Sequence, residues 1–114
     1  MSKIVLIGAG STNFGLGTIG DIFKSKILDK STIVLHDINA ESLKNTELIA
    51  KKYKEKLNLN FRIEATTSRK DALKNANFCI ISIEVQPRFD LWDQDWKVPL
   101  EYGFQQVFGE NGGP

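Results

Sequence analysis

Four short apolar runs, separated by stretches in which apolar residues recur with helical spacing, organise the chain. The runs are Lys3–Ile7, Thr32–His36, Phe61–Thr66 and Asn77–Ile83. Each is too short for a helix. The first and the last are almost continuously apolar, as in parallel strands buried on both faces, and the third alternates. The runs therefore predict four strands.

The stretches between and after these runs predict four helices. They extend from about Phe14 to Lys26, from the N-cap Asn39 to about Leu57, from Ser68 through Ala76, and from Arg88 to Lys97. Asn39 is a favourable N-cap, and Ser68 with Asp71 predicts a capping box. Pro99 is expected to break or restart the last helix.

Strand and helix alternate four times, which predicts an α/β fold with a parallel sheet and helices on both faces. We expect a doubly wound sheet of the Rossmann type with strand order 3-2-1-4. The 114 residues suffice for about one small domain. The end of the chain, Gly109–Pro114, is loop-like, so we expect residues 1–114 to be the N-terminal fragment of a longer protein.

Composition narrows the functional classes. Fifteen basic and fourteen acidic residues nearly cancel, and no basic block stands out, so nucleic acid is not an expected partner. The single cysteine, Cys79, excludes an internal disulfide and fits a reducing compartment. With neither a membrane-spanning stretch nor a signal peptide in the sequence, we expect a cytoplasmic protein without a membrane partner.

The turn after the first strand carries the candidate ligand site. Gly8 and Gly10 match the first and third positions of the dinucleotide fingerprint, but Asn13 stands where a third glycine is usual. The first glycine allows a tight turn, and the second lets the backbone approach a pyrophosphate. Gly15 or Gly17 would relieve the crowding caused by Asn13. The alternative is a tight strand–helix turn without a ligand.

The start of the first helix supplies candidate donors to a cofactor's phosphate oxygens. These donors are the hydroxyl of Ser11 and the backbone amides that follow it. We therefore count four residues of this segment as cofactor-binding: Ser11, Thr12, Asn13 and Phe14.

Asp37 ends the second strand, whose end lies beside the glycine turn in this fold. A carboxylate there accepts hydrogen bonds from the adenosine ribose hydroxyls and repels a 2′-phosphate, which favours NAD over NADP. The alternative is a residue that only caps the next helix. Ile38 beside it is counted with the cofactor residues, as are Glu84 and Val85 in the loop after the fourth strand.

Other candidates are interpreted structurally. His36, the one histidine, is expected to pack in its strand rather than to catalyse. Cys79 lies in mid-strand and is expected to be an inert core residue. Asp93 and Asp95 resemble a metal-binding pair, but residues two apart lie on different faces of a helix, so both are expected to be solvated.

The chain resembles the beginning of glycoside hydrolase family 4, the NAD- and manganese-dependent α- and β-glycosidases related to lactate and malate dehydrogenases. The segments that carry the resemblance are Gly8-Ala-Gly-Ser11 with Phe14, Asp21-Ile22, Leu35-His-Asp-Ile38, Val98–Gly103 and Gly109–Pro114. The serine after the second glycine accounts for the departure at Asn13.

The resemblance implies that the full-length enzyme uses NAD and Mn²⁺ or another divalent metal. It implies oxidation of a glycoside at C3, removal of the C2 proton by a tyrosine, elimination, addition of water and re-reduction. Glu110 would raise the basicity of that tyrosine, which lies outside this chain, as do the metal ligands. Arg88 and Asn111 would contact substrate. Family members that act on 6-phosphosugars usually carry an arginine in the segment after the fourth strand. Arg88 lies a few places before that position, so the resemblance favours a non-phosphorylated α-glycoside such as a galactoside, glucoside or glucuronide.

Two alternatives remain open on the sequence alone. One is an NAD-dependent 2-hydroxyacid dehydrogenase of the lactate and malate type, and the other is a non-catalytic dinucleotide-sensing module. The strand order leaves Phe78–Ile83 as an apolar sheet edge, and such an edge invites pairing with another chain. We therefore expect the isolated fragment to self-associate or to be marginally stable. Separately, we expect the protein to be a homo-oligomer.

Overall fold

The computed structural model describes residues 1–83 and 88–105, apart from the side chains of Thr12 and Arg88. The chain forms two compact units, residues 1–83 and residues 84–114. Within the described residues, the first unit holds four strands and three helices, and the second holds one helix.

The strands form one parallel sheet in the order β3-β2-β1-β4, which confirms the predicted topology. They are β1 (Lys3–Ile7), β2 (Thr32–His36), β3 (Arg62–Thr66) and β4 (Phe78–Ile81). Ile7 lies beside His36 on one side and beside Ile81 on the other. The carboxyl ends of β1, β2 and β4 therefore meet at one edge of the sheet.

The first helix, α1 (Thr12–Phe23), begins before the predicted Phe14 because Ser11 caps it. The side-chain oxygen of Ser11 accepts the Phe14 amide at 3.4 Å. The helix ends before the predicted Lys26. Short i→i+3 turns tighten its end, since the amides of Lys24 and Ser25 donate to carbonyls three residues earlier.

The second helix, α2 (Ala40–Lys56), has the predicted N-cap. The side chain of Asn39 accepts the Ser42 amide at 3.1 Å. At the other end, Asn58 adopts a left-handed φ of 52°. The amide of Leu59 donates to the carbonyl of Lys54 at 3.0 Å, which closes a Schellman motif with asparagine in the usual glycine position.

The third helix, α3 (Arg69–Leu73), is shorter than predicted. Only one of the two hydrogen bonds of the predicted capping box forms. Ser68 accepts the Asp71 amide at 3.3 Å, as a capping box requires. The reciprocal bond to the Asp71 side chain does not form, because the Ser68 amide donates to the hydroxyl of Thr66 at 3.1 Å. The predicted capping box is therefore half right.

Apolar side chains pack on both faces of the sheet, so the fold is doubly wound as predicted. Successive residues of a strand point to opposite faces. Ile4 and Leu6 join the larger core beneath α1 and α2. Val5 and Ile7 join the smaller core on the α3 side, with Val34 and Ala72.

The edge strand β4 is exposed along its whole length. Cys79 is exposed with it, so the prediction of a core cysteine is wrong. The apolar run suggested burial on both faces, but no residue of β4 is buried on either face in the described structure. A mid-strand position therefore does not bury Cys79 here.

The second unit contains α4 (Arg88–Glu101), which runs through Pro99. The predicted break at this proline is therefore wrong. A proline removes only its own amide from the hydrogen-bond ladder, and α4 continues for just two residues beyond Pro99. A turn follows the helix at Gly103, with φ of 81°, and the Phe104 amide donates to the Pro99 carbonyl at 2.9 Å.

Candidate functional site

Gly8 makes the turn at the end of β1. Its φ of 92° lies in the left-handed region that favours glycine. The amides of Gly8 and Ala9 both donate to the carbonyl of His36, at 2.9 and 3.0 Å. A side chain at position 8 would collide with the backbone oxygen of Ser82, so the turn is fitted closely between the ends of β2 and β4.

Gly10 lies against the end of β2 and the first turn of α2. Its amide donates to Oδ2 of Asp37 at 2.8 Å. A Cβ atom at position 10 would lie 2.7 Å from that same oxygen and 2.9 Å from Cβ of Ser42. Atoms of the protein itself thus leave no room for a side chain at position 10.

Gly15 takes the place of the third fingerprint glycine. A Cβ atom there would collide with the carbonyl oxygen of Ala9, so α1 passes closer to the loop than any side chain would allow. Gly17 has open space around the same position. Of the two glycines considered from the sequence, Gly15 therefore provides the close packing, two positions later than the fingerprint places it.

The amino end of α1 faces the loop as a set of backbone donors. The amide of Gly15 donates to the carbonyl of Ser11 at 2.8 Å, and Ser11 also caps the amide of Phe14. The earliest amides of a helix, here those of Thr12 and Asn13, have no acceptor within it. Together with the helix dipole, such amides make a favourable position for an anion.

Asp37 is half-buried, and its carboxylate joins the glycine loop to the start of α2. Oδ2 accepts the Gly10 amide at 2.8 Å, and Oδ1 accepts the Asn39 amide at 2.9 Å. The next residue, Ile38, is 90% exposed at the same edge of the sheet. The predicted neighbourhood of the glycine turn and this carboxylate is confirmed.

Several predicted residues lie outside the described part of the structure. Glu84 and Val85 fall in the gap at residues 84–87, and Glu110 and Asn111 fall in residues 106–114. Their assignments, and that of the Arg88 side chain, remain predictions.

His36 is buried in β2, which confirms that it is a packed strand residue. Its Nδ1 lies 2.9 Å from the carbonyl oxygen of Thr66 and donates to it, because a carbonyl can only accept. The ring therefore fastens β2 to the end of β3.

Asp93 and Asp95 are exposed on α4, as predicted. Asp93 accepts a hydrogen bond from Lys97 at 2.6 Å, which raises the pKa of that lysine above its usual value. Among residues 1–83 and 88–105, no three His, Cys, Asp or Glu side chains gather into a possible metal site.

An apolar groove of about 650 Å³ lies between α1 and α2, away from the glycine loop. Gly17 and Gly20 line it from α1, and Tyr53 and Leu57 line it from α2. None of the described cofactor candidates contributes to it.

Among residues 1–83 and 88–105, no helix is long and apolar enough to cross a membrane.

The parallel sheet, the glycine turn at its carboxyl edge and the carboxylate of Asp37 define a doubly wound α/β domain of the dinucleotide-binding type. The family 4 glycosyl hydrolase profile matches residues 3–114, nearly the whole chain. The chain therefore belongs to glycosyl hydrolase family 4, which confirms the resemblance noted in its sequence.

A characterised relative is the α-glucosidase of Erwinia rhapontici. The two are 58% identical over 113 residues, a match that covers 99% of this chain and 25% of the relative. The chain thus spans about a quarter of the length of this curated relative.

Two solved structures have the same fold. The 6-phospho-β-glucosidase of Thermotoga maritima, determined with NAD and glucose-6-phosphate, superimposes with a TM-score of 0.69 and 18% identity over 91% of this chain and 24% of that one. The malate dehydrogenase of Plasmodium falciparum gives a TM-score of 0.63 and 26% identity over 84% and 28%. The fold is thus common to glycosidases and dehydrogenases.

Proposed function

We propose that residues 1–114 are the NAD-binding N-terminal portion of a family 4 glycosidase. The observation that carries this proposal is the contact between Gly10 and Asp37, which places the glycine loop beside a carboxylate at the carboxyl end of the sheet. The glycine loop suits a pyrophosphate, and the carboxylate suits ribose hydroxyls.

A Cβ atom at either Gly8 or Gly10 would collide with protein atoms, so both positions need glycine for the loop to keep this shape. The pyrophosphate would be held by the Ser11 hydroxyl and by the amides of Thr12, Asn13 and Phe14. Asp37 would accept the ribose hydroxyls through lone pairs that its two backbone donors leave, and it disfavours the 2′-phosphate of NADP.

Three further residues complete the proposed cofactor site. Exposed Ile38 would offer an apolar surface to the adenine. Glu84 and Val85 would line the cofactor beyond the end of β4. The Thermotoga maritima glycosidase determined with NAD has the same fold, which supports the choice of cofactor.

In the whole enzyme, bound NAD would supply oxidation of the sugar at C3 and its later reduction. Between these two events, the C2 proton would be removed, the aglycone eliminated and water added. We propose that Mn²⁺ or another divalent metal is bound by residues outside this chain. Glu110 would tune the catalytic tyrosine, and Arg88 and Asn111 would contact the sugar.

The proposed substrate is a non-phosphorylated α-glycoside, and among these we favour an α-glucoside. The Erwinia rhapontici relative at 58% identity is named an α-glucosidase. The solved glycosidase with glucose-6-phosphate is only 18% identical. We further propose a cytoplasmic homo-oligomer, and the free cysteine suits the reducing conditions of the cytoplasm.

Titration calorimetry with NAD tests the cofactor assignment. We expect the chain to bind NAD more tightly than NADP, and Asp37→Ala to weaken NAD binding by roughly 1–3 kcal/mol through loss of a charged hydrogen-bond partner. Asp21→Ala is the matched control, because Asp21 is an exposed α1 carboxylate that pairs only with Lys24 among the ion pairs described. Equal titration curves for wild type and Asp37→Ala would refute the assignment.

The complete protein tests the substrate assignment. With NAD and Mn²⁺ present, we expect release of nitrophenol from nitrophenyl α-glucoside and little from its 6-phosphate or from the β-anomer. Preference for the 6-phosphate would contradict the proposed substrate. Net formation of NADH from a 2-hydroxy acid, without glycoside cleavage, would favour the dehydrogenase alternative.

A further inference from the structure

Both carboxylate oxygens of Asp37 accept hydrogen bonds from the protein's own backbone. Oδ2 accepts the Gly10 amide at 2.8 Å, and Oδ1 accepts the Asn39 amide at 2.9 Å. A carboxylate that served only as a ribose ligand would need neither bond. The side chain therefore fastens two other segments, the glycine loop and the start of α2.

The bond to Gly10 is one of three that fix the loop to the end of β2. The other two run from the amides of Gly8 and Ala9 to the carbonyl of His36. The Asp37 bond differs from these because its acceptor is a charged side chain, and charge-assisted hydrogen bonds are shorter and stronger than neutral ones. It also holds the glycine that would lie nearest to the pyrophosphate.

Atoms of Asp37 and Ser42 pack tightly around Gly10. A Cβ atom on Gly10 would lie 2.7 Å from Oδ2 and 2.9 Å from Cβ of Ser42, so loop, carboxylate and α2 are in direct contact. An asparagine at position 37 has one oxygen and one NH₂ group. It can therefore accept only one of the two backbone amides.

We propose that Asp37 is a positioning residue for the pyrophosphate-binding loop in addition to a ribose ligand, an inference that rests on the NAD site proposed above. The ribose role acts on hydroxyl groups of the cofactor, whereas the positioning role acts through Gly10. Asp37 should therefore contribute to the affinity for a dinucleotide that has no adenosine ribose hydroxyls.

The decisive ligand is an NAD analogue whose adenosine ribose lacks the 2′ and 3′ hydroxyls. We expect Asp37→Asn to bind this analogue about tenfold more weakly than wild type, the loss that corresponds to one charge-assisted hydrogen bond. Asp21→Asn makes the same chemical change at the exposed α1 carboxylate and should bind like wild type. Equal affinity of wild type and Asp37→Asn for the analogue would overturn the positioning role.

The amide of Gly10 gives a second measurement that needs no ligand. In two-dimensional NMR spectra, its proton should move upfield in Asp37→Ala, whose side chain has no acceptor, and exchange faster with solvent, whereas the spectrum of Asp21→Ala should keep the wild-type Gly10 signal. An unchanged Gly10 signal in Asp37→Ala would also overturn the proposal. If wild type fails to bind NAD, the cofactor assignment is lost, and the Gly10 amide still decides whether Asp37 fixes the loop.

Gly10→Ala tests the same contact from the other side if Asp37→Asn does not fold. Its methyl group would displace the carboxylate without removing the charge, so the analogue should again bind about tenfold more weakly. In the double variant the two losses should not add, because both break one contact. Wild-type affinity of Gly10→Ala for the analogue would contradict the proposal.

Discussion

The glycine residues near the amino terminus have different physical roles. Gly8 is required by its φ of 92°, and Gly10 by the atoms of Asp37 and Ser42 around it. Gly15 is required by the carbonyl of Ala9, although it lies inside a helix. Gly17 has no such neighbour, so it only lowers the helix propensity of α1.

Alanine substitutions should separate these roles within one helix. Gly17→Ala should stabilise the chain by about 0.5–1 kcal/mol, because alanine forms helix better and the space is open. Gly15→Ala should destabilise it by about 1–3 kcal/mol, because its methyl group overpacks the loop. Urea denaturation followed by circular dichroism measures both. Equal midpoints for the two variants would refute the assigned role of Gly15.

Sequence patterns locate some of the site and miss the rest for a physical reason. Gly8, Gly10 and Asp37 lie at fixed positions relative to strand ends, so spacing along the chain reveals them. The function of Gly15 depends on how closely α1 approaches Ala9, a distance that no spacing encodes. The exposure of Cys79 likewise depends on what covers β4 and not on its apolar neighbours.

The ends of helices are set by local hydrogen bonds, which explains why their predicted bounds are the least accurate part of the fold. The strands follow the apolar runs, because burial in a parallel sheet needs just such runs. The end of α2, which is predicted to within one residue, is set by Asn58 in a left-handed conformation, with φ of 52°. That conformation satisfies the last carbonyls of the helix.

Replacing Asn58 with glycine should strengthen the end of α2. Glycine adopts a positive φ without the steric cost that a Cβ atom imposes, so we expect Asn58→Gly to stabilise the chain by about 0.5 kcal/mol. Asn60→Gly is the control, since Asn60 is not among the residues of positive φ in the described structure. Thermal melting should show a rise for the first variant only, and a fall for Asn58→Gly would contradict the role of the motif.

The sheet has a buried middle and two edge strands, β3 and β4, of which β4 is exposed at every residue. β2 and β1 lie in the middle of the sheet and are buried almost throughout, whereas β4 exposes Phe78, Ile80 and Ile81. An apolar parallel strand that lacks a partner on one side offers unpaired amides and carbonyls to another chain. The topology that places the glycine loop at the carboxyl end of β1 thus also leaves the outer strand β4 as a surface for association.

We expect the 114-residue chain to self-associate through this edge. A lysine in place of Ile81, which is 63% exposed on β4, should shift the chain towards monomer, because charged residues block edge-to-edge pairing. Ile27→Lys is the matched control, since Ile27 is 94% exposed but lies outside the sheet, and it should leave association unchanged. Light scattering after size-exclusion chromatography measures the mass of each variant. A monodisperse wild-type monomer at high concentration would refute association, and an equal effect of both lysines would show that it does not occur through β4.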